Sequence, residues 1–299
     1  MQIDSLKYFM DVAQEKSISK AAQNLHISQS ALSQNIQKLE EDIGQTLFVR
    51  SNKGVELTEV GEIVLKYSKN IIKNFEKMFD EIKSFEEEDH KIYISGTSSL
   101  VAYSLPCVIY KVKKKFPKNK YELIGSTVER TISDIENYIC DFGFIDERPN
   151  EKNGFFVHKM GKEKVVLIAH TKKKIPDSIK LEDLFKLDFI NWTLNSHINQ
   201  VLERELVKAN KSVKDRKVVF DVDSLSAVKS SVMNGLGVAL VPYESIKHEL
   251  YEKKIKIIQI EDVVLDYDIY LVSKKQAYLS KSAKESLEYL IEIGRKSFC

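Results

Sequence analysis

No stretch of this 299-residue chain approaches the ~20 consecutive apolar residues that a bilayer-spanning helix requires, although 43% of its residues are hydrophobic. The opening residues, MQIDSLKYFMDVAQ, set Asp4, Lys7 and Asp11 among the apolar ones and so lack the unbroken apolar core of a secretory signal. The expectation is a cytoplasmic protein with no membrane partner. Cysteine is scarce and odd in number: Cys107, Cys140 and Cys299 share no metal-ligand spacing, which suits small buried thiols in a reducing compartment and predicts no structural disulfide. The six histidines, at 26, 90, 158, 170, 197 and 248, form no H-x-x-H or H-E-x-x-H pattern. They are read as surface residues, with no metal site and no cofactor. Gly-x-Ser-x-Gly is missing, and no Cys and His can be paired from sequence, so an enzyme is not expected. An excess of one charge is also missing: 46 Lys and Arg against 44 Asp and Glu leave a net charge of +2. Composition alone therefore does not point to nucleic acid.

The length suggests two or three domains, because single cores stop growing well before this size. Leu6, Phe9, Met10 and Ala13 recur at three- and four-residue spacing and predict a first amphipathic helix ending near Lys16. A shorter helix follows, capped by Ser17 or Ser19, with Ala21 and Ala22 allowing close backbone approach and Leu25 anchoring its end. After the turn His26-Ile27-Ser28, Ser28 can cap a third helix that buries Ala31, Leu32, Ile36, Leu39 and Ile43 and stops at Gly44. Ser28, Gln29, Ser30, Ser33, Gln34, Gln37 and Lys38 are left at its front and outer face. These side chains can reach base edges or phosphates, or simply form a solvated helix face.

The ordered pattern Ala21-Ala22-x-x-Leu25-His26-Ile27-Ser28-Gln29-Ser30-Ala31-Leu32-Ser33, then Leu39-Glu40-x-x-Ile43-Gly44-x-x-Leu47-Phe48-x-Arg50, then Leu57-Thr58-x-x-Gly61, resembles the DNA-binding domain of the LysR-type transcriptional regulators across residues 1 to 61. The resemblance implies a winged helix-turn-helix over residues 1–58, a double-stranded DNA partner, and a two-stranded wing between Leu47 and Leu57 on which Arg50 and Lys53 meet phosphate. Two departures stand out. Family members commonly carry proline where Ser30 stands and arginine where Gln34 and Gln37 stand, which implies a shallower salt dependence of binding here.

From Thr58 to about Glu88 the pattern is one long helix. Val64, Ile71, Met78 and Phe85 fall at sevens, with Phe75 and Ile82 between them, as in a coiled-coil seam; the alternative is a helix packed on its own domain. The resemblance implies that this linker, residues 59–89, pairs subunits into a homodimer or homotetramer. Beyond it the texture changes to short strands alternating with helices, an α/β pattern. Expected strands are 91–95, 121–124, 142–145, 165–169, 188–191, 218–221, 237–241, 255–260 and 269–272.

Gly96, Leu105-Pro106, Phe116-Pro117, Asp141 and Val232-x-x-Gly235-x-Gly237-x-x-Leu240-Val241-Pro242 extend the resemblance to the family's effector domain. That implies a periplasmic-binding-protein-like fold over 90–299, with subdomain I (90–162 and 267–299) and subdomain II (163–266) joined by crossings near Gly161 to Glu163 and Leu265 to Asp268. A small-molecule effector is expected between them. Thr97, Ser98 and Ser99 leave the first strand and enter a helix, so they suit a carboxylate or similar anion, or are ordinary caps. The resemblance adds Ser126, Thr127, Trp192 and Thr193 to the pocket. Trp192, the only tryptophan, can stack on a ligand or fill a core. Asp221 to Ser226 are expected either to line the cleft edge or to cap the next helix, with the capping role falling to Ser224. A solute-binding receptor is opposed by the absent signal. A redox sensor is opposed by the lack of any cysteine in residues 162–265.

Overall fold

The computed structural model describes residues 2–51, 54–87, 91–150, 154–193, 196–275 and 279–297, which gather into two compact units, the first mainly of residues 1–88 and the second mainly of 89–299. Lys53, His90 and Cys299 lie outside the described residues, as do the side chains of Arg50 and Phe85.

The first unit begins with α1 (Ile3–Glu15), α2 (Ile18–Asn24) and α3 (Gln29–Ile43). Each boundary has a local cause. Ser17 Oγ accepts from Lys20 N at 3.4 Å and Ser28 Oγ from Ala31 N at 3.2 Å, satisfying amide groups that the first turn leaves unpaired. Gly44, at φ 76°, closes α3 in the left-handed conformation that glycine adopts without steric cost. Leu6, Phe9 and Val12 of α1, Ala21 and Ala22 of α2, and Leu32, Ile36 and Leu39 of α3 are all buried in one core. Burying each large side chain is worth about 1.5–3 kcal/mol.

β1 (Phe48–Ser51) and β2 (Gly54–Leu57) pair antiparallel as the expected wing. Phe48 drops into the helical core, its ring 5.0 Å from that of Phe9. The Glu40 carboxylate accepts from Leu47 N at 2.6 Å and Phe48 N at 3.2 Å, which fastens the end of α3 to the start of the wing.

α4 (Glu59–Glu87) starts where Thr58 Oγ1 accepts from Gly61 N at 2.9 Å. The helix carries two apolar faces, whereas the sequence suggested one seam. Ile72 is buried, and Val60, Val64 and Leu65 pack beside it against the core of the reading head. Ile63, Tyr67, Ile71, Met78, Phe79 and Ile82 stay exposed. Val64, assigned to the seam, therefore has part of its surface engaged within its own chain, because α4 still runs alongside α1 at that point.

The second unit follows the order β3 (Lys91–Thr97), α5 (Leu105–Lys115), β4 (Lys120–Ser126), α6 (Val128–Glu136), β5 (Phe142–Ile145), β6 (Phe156–His170), β7 (Ser178–Ile179), β8 (Asp188–Trp192), α7 (Ser196–Lys208), β9 (Lys217–Val222), α8 (Leu225–Met233), β10 (Ala239–Pro242), α9 (Lys247–Tyr251), β11 (Ile255–Ile260), β12 (Asp266–Ser273) and α10 (Lys281–Ser297). The main sheet has the order β4-β3-β5-β12-β6-β11-β7, with β10 also on β6, while β8 and β9 pair in parallel beside it.

β6 is 15 residues long and belongs to both lobes. Its first half pairs with β12 and its second half with β10 and β11. The crossing between lobes thus lies within one continuous strand, and Val165 N donates to Leu265 O at 2.8 Å where the return crossing meets it. The expected strand at 165–169 is only the apolar end of β6. The remainder, 156–164, was hidden by Lys159, Lys162, Glu163 and Lys164. Two of these charges are answered across the strand pair, Lys159 by Asp268 at 2.7 Å and Lys162 by Asp266 at 2.9 Å.

Cys140 is buried as expected of a small apolar thiol, but Cys107 is exposed on α5. Among the described residues no group of three or more His, Cys, Asp or Glu could hold a metal ion, and no helix is long and apolar enough to cross a membrane.

Candidate functional site

The first candidate surface is the outer face of α3. Gln29, Ser30, Gln34, Gln37 and Lys38 are exposed there, and Ser33 is half-buried. Some of these side chains already have neighbours. Ser19 Oγ donates to Gln29 Oε1 at 3.0 Å, linking the front of α3 back to α2, and Ser28 and Ser30 share a hydroxyl contact of 3.1 Å. Gln37 Nε2 donates to Glu41 Oε1 at 2.9 Å. The face is polar and amide-rich, with Lys38 as its cation and Glu41 close by.

The second candidate is a cavity of about 390 Å³ between the two lobes of the second unit, a size suited to a metabolite. Thr97, Ser98, Ser99, Ser126, Thr127 and Trp192 line it, so six of the seven expected residues meet there. Thr193 does not line it. Its backbone N–H and its hydroxyl both donate to Val222 O, which uses it to join β8 to β9.

The elements explain the convergence. β3 and β4 are parallel and in register from Lys91↔Lys120 to Thr97↔Ser126, so both deliver hydroxyl residues at their carboxyl ends, where open α/β sheets bind ligands. Ser98 Oγ donates to Ser126 O at 3.3 Å, which braces the two loops. After Ser99 the chain makes a π-helical turn over Leu100–Ser104 before α5, a rare conformation that recurs at functional sites. From the other lobe, Trp192 Nε1 donates to Asp223 O at 3.2 Å, so the indole is held by its polar edge.

The cavity also contains residues that the sequence did not single out: Tyr103, Glu129, Asp146, Glu147 and His197. Asp146 and Glu147 follow β5 in the way Ser98 and Ser99 follow β3, so the same strand-end rule applied to Phe142–Ile145 finds them. His197 is buried in the cavity wall at 9% exposure, against the expectation of a surface histidine, and its ring meets that of Tyr267 edge-on at 5.2 Å. Ser224 lines the cavity and makes no side-chain cap to α8, which corrects the capping role expected for it.

In the cavity lining, three buried polar atoms, Thr97 Oγ1, Asp146 Oδ1 and His197 Nδ1, have no hydrogen-bond partner among the described residues. Burial holds the Asp146 carboxyl above the usual carboxylate range, opposed by the nearby His197. Glu129 shifts the other way: hydrogen bonds from its own backbone and from Thr127 keep it ionised. At the crossing between lobes, burial pushes Glu163 up to about 7.

Two family models cover the chain. Residues 3–62 match the bacterial regulatory helix-turn-helix proteins of the lysR family, and residues 86–294 match the LysR substrate binding domain. A protein named as a probable RuBisCO transcriptional regulator in Gracilaria tenuistipitata var. liui is 28% identical over 288 residues, 94% of this chain and 93% of that one. Its namesake in Emiliania huxleyi is 29% identical over 299 residues, 97% of this chain and 94% of that one. The crystal structure of CbnR, a LysR family transcriptional regulator, superposes with a TM-score of 0.82 at 19% identity, covering 98% of this chain and 99% of that one. Full-length CbnR in complex with its target DNA gives 0.80 at 20% identity, covering 99% of this chain and 100% of that one. With a helix-turn-helix and its wing matched over residues 3–62 and a two-lobed substrate-binding domain over 86–294, the chain belongs to the LysR family of DNA-binding transcriptional regulators.

Proposed function

We propose that this regulator acts as a ligand-controlled, DNA-bound homodimer or homotetramer in the cytoplasm. Residues 1–58 read an operator, 59–89 pair the subunits, and 90–299 bind the effector between subdomain I (90–162 and 267–299) and subdomain II (163–266). The base-edge and phosphate contacts come from Ser28, Gln29, Ser30, Ser33, Gln34, Gln37 and Lys38 of the α3 region, with Arg50 and Lys53 of the wing on the backbone. Dimerisation uses the exposed face of α4 that contains Ile71, Met78 and Ile82, with Phe75, Phe85 and part of Val64 beside it. Pairing two small heads adds their contacts, which one head alone lacks.

The observation that carries the effector assignment is that three residues lining one cavity each bury an unpartnered polar atom, Thr97 Oγ1, Asp146 Oδ1 and His197 Nδ1. Leaving such groups unsatisfied costs about 1–3 kcal/mol each, which a ligand closing on Thr97, Ser98, Ser99, Ser126, Thr127 and Trp192 recovers. Differential binding to open and closed lobes then biases the arrangement of the paired subunits.

The test is binding of the purified protein to the DNA upstream of its own gene, beside an unrelated fragment of equal length, at near-physiological salt. Selective binding is expected. Equal, weak binding to both fragments would defeat the assignment of the α3 face.

A further inference from the structure

The chemistry of the cavity wall narrows the class of effector. Among the described residues four carboxylates line it, those of Glu129, Asp146, Glu147 and Asp223, and no lysine or arginine does. Lys229 comes within 4.7 Å of the Tyr103 ring from outside the cavity lining, but its ammonium is engaged by Glu249 at 2.7 Å and by Ser245 O at 2.8 Å. Among the described lining residues the one titratable nitrogen is the imidazole of His197.

An acidic wall alone says little, since exposed carboxylates such as Glu147 and Asp223 are content in water. Asp146 is different. It is 4% exposed, it lines the cavity, and its Oδ1 has no partner. A carboxylate can only accept, so the missing partner must be a donor. Beside it, at the end of the neighbouring parallel strand β3, the hydroxyl residues Thr97, Ser98 and Ser99 and the start of the helical segment at Leu100 present donors suited to the opposite kind of group. The lining therefore sets hydroxyl donors next to a buried acceptor, at a spacing that suits a small ligand carrying both kinds of group.

We infer that the effector is a small amine-bearing molecule, of the amino-acid type, whose protonated amine sits on Asp146 while its carboxylate or other polar end is held by Thr97, Ser98 and Ser99. The inference rests on the cavity being the effector site and adds the ligand's chemistry. A protonated amine on the Asp146 carboxylate makes a charge-assisted contact, stronger than the one a neutral hydroxyl donor makes. Polyanions such as sugar phosphates are disfavoured by repulsion from Glu129, Glu147 and Asp223.

Trp192 lines the cavity and is the only tryptophan in the chain, so its fluorescence in the full-length protein reports on this wall. Caesium is expected to quench it better than iodide, each normalised to neutral acrylamide, and Glu147→Gln should narrow the difference. Iodide matching or exceeding caesium overturns the inference. In a second arm, the common L-amino acids are titrated beside their 2-hydroxy-acid analogues, which carry a hydroxyl in place of the amine. An amino acid that saturates the signal should bind about 10- to 100-fold more tightly than its hydroxy analogue. Asp146→Asn should abolish that preference. A hydroxy acid that binds as tightly as its amine overturns the amine but keeps the cavity as the effector site. Binding of either class that survives Ser98→Phe, which fills the cavity, counts against the site itself.

Discussion

Ser104 Oγ donates to Glu163 Oε2 in a long hydrogen bond of 3.4 Å, so the helical turn that follows the serine cluster of the cavity is tied to the strand that crosses between the lobes. The other carboxylate oxygen of Glu163 accepts from Glu244 N at 3.2 Å, on the segment after β10 in the second lobe. One buried side chain thus touches both lobes and the crossing that joins them.

Glu163 makes the stability of the effector domain depend on pH. Burial raises its pKa from 4.5 to about 7, with Glu244 adding to the shift and Ser104, Lys247 and the Glu244 amide opposing it. The folded state therefore holds this proton more tightly than the unfolded state. The contribution is fully present below about pH 4.5 and is lost as pH rises through about 7, with an upper limit of about 3 kcal/mol. Glu163→Gln should flatten the fall in melting temperature between pH 5 and pH 8, measured by calorimetry. A variant whose pH profile overlays the parent removes Glu163 from that account.

The cap of the reading helix should be measurable by itself. Ser28→Ala deletes the acceptor for Ala31 N, a loss of about 1 kcal/mol, and lowers the denaturation midpoint of the first unit. Ser28→Asp, which restores an acceptor, should recover most of it. An alanine variant as stable as the parent means that solvent serves the amide equally well.

Gly61 is held by close approach rather than by backbone angle. A Cβ there would collide with the carbonyl oxygen of Leu47, with Leu57 Cδ2 3.0 Å away. Gly61→Ala should destabilise the junction of wing and α4 by about 1–3 kcal/mol and weaken DNA binding with it. Unchanged thermal unfolding would mean that the junction relaxes freely.

The amide-rich face of α3 should bind DNA with a shallow salt dependence. Gln34→Arg and Gln37→Arg each add a cation, and each should steepen the slope of log affinity against log salt by about 1 if it reaches a phosphate. Gln37 must first release Glu41, so its effect should be the smaller of the two. A parent protein whose slope already matches that of the double variant would contradict the reading.

The exposed stripe on α4 should be the subunit contact. Ile71→Glu and Met78→Glu, both at exposed positions, are expected to convert the assembly to monomers in light scattering without loss of helix. Variants that retain the parent mass would move the interface elsewhere.

Much of the first unit was legible because its signals are local. Ser17, Ser28 and Thr58 cap the helices that follow them, Gly44 ends α3, and the 3.6-residue spacing of Leu32, Ile36 and Leu39 marks the buried face. The two faces of α4 were not legible. Apolar residues at sevens look alike whether they meet a second subunit or the chain's own α1, and only the course of α4 past α1 separated Val64 from Ile71.

In the second unit, local chemistry identified Thr97, Ser98 and Ser99 and the family resemblance added Ser126 and Thr127, whereas Glu129, Asp146, Glu147 and His197 were not identified. Thr97 and Ser126 stand at the ends of apolar strands, and a parallel register brings such ends together whatever the rest of the chain does. Asp146 and His197 are 51 residues apart and come from different lobes, so their meeting depends on β6 crossing between sheets and on β12 returning. The burial that removes partners from Asp146 Oδ1 and His197 Nδ1, and that raises the pKa of Glu163, is likewise a property of packed lobes. The caps at Ser17, Ser28 and Thr58, the carboxyl ends of β3 and β5 and the family pattern were determined by the sequence alone, because hydrogen bonds over three or four residues and short apolar runs need no distant partner. Which charges are dry, which apolar face is covered and what the cavity can hold were decided only by the tertiary structure, because desolvation depends on every element that closes around a group.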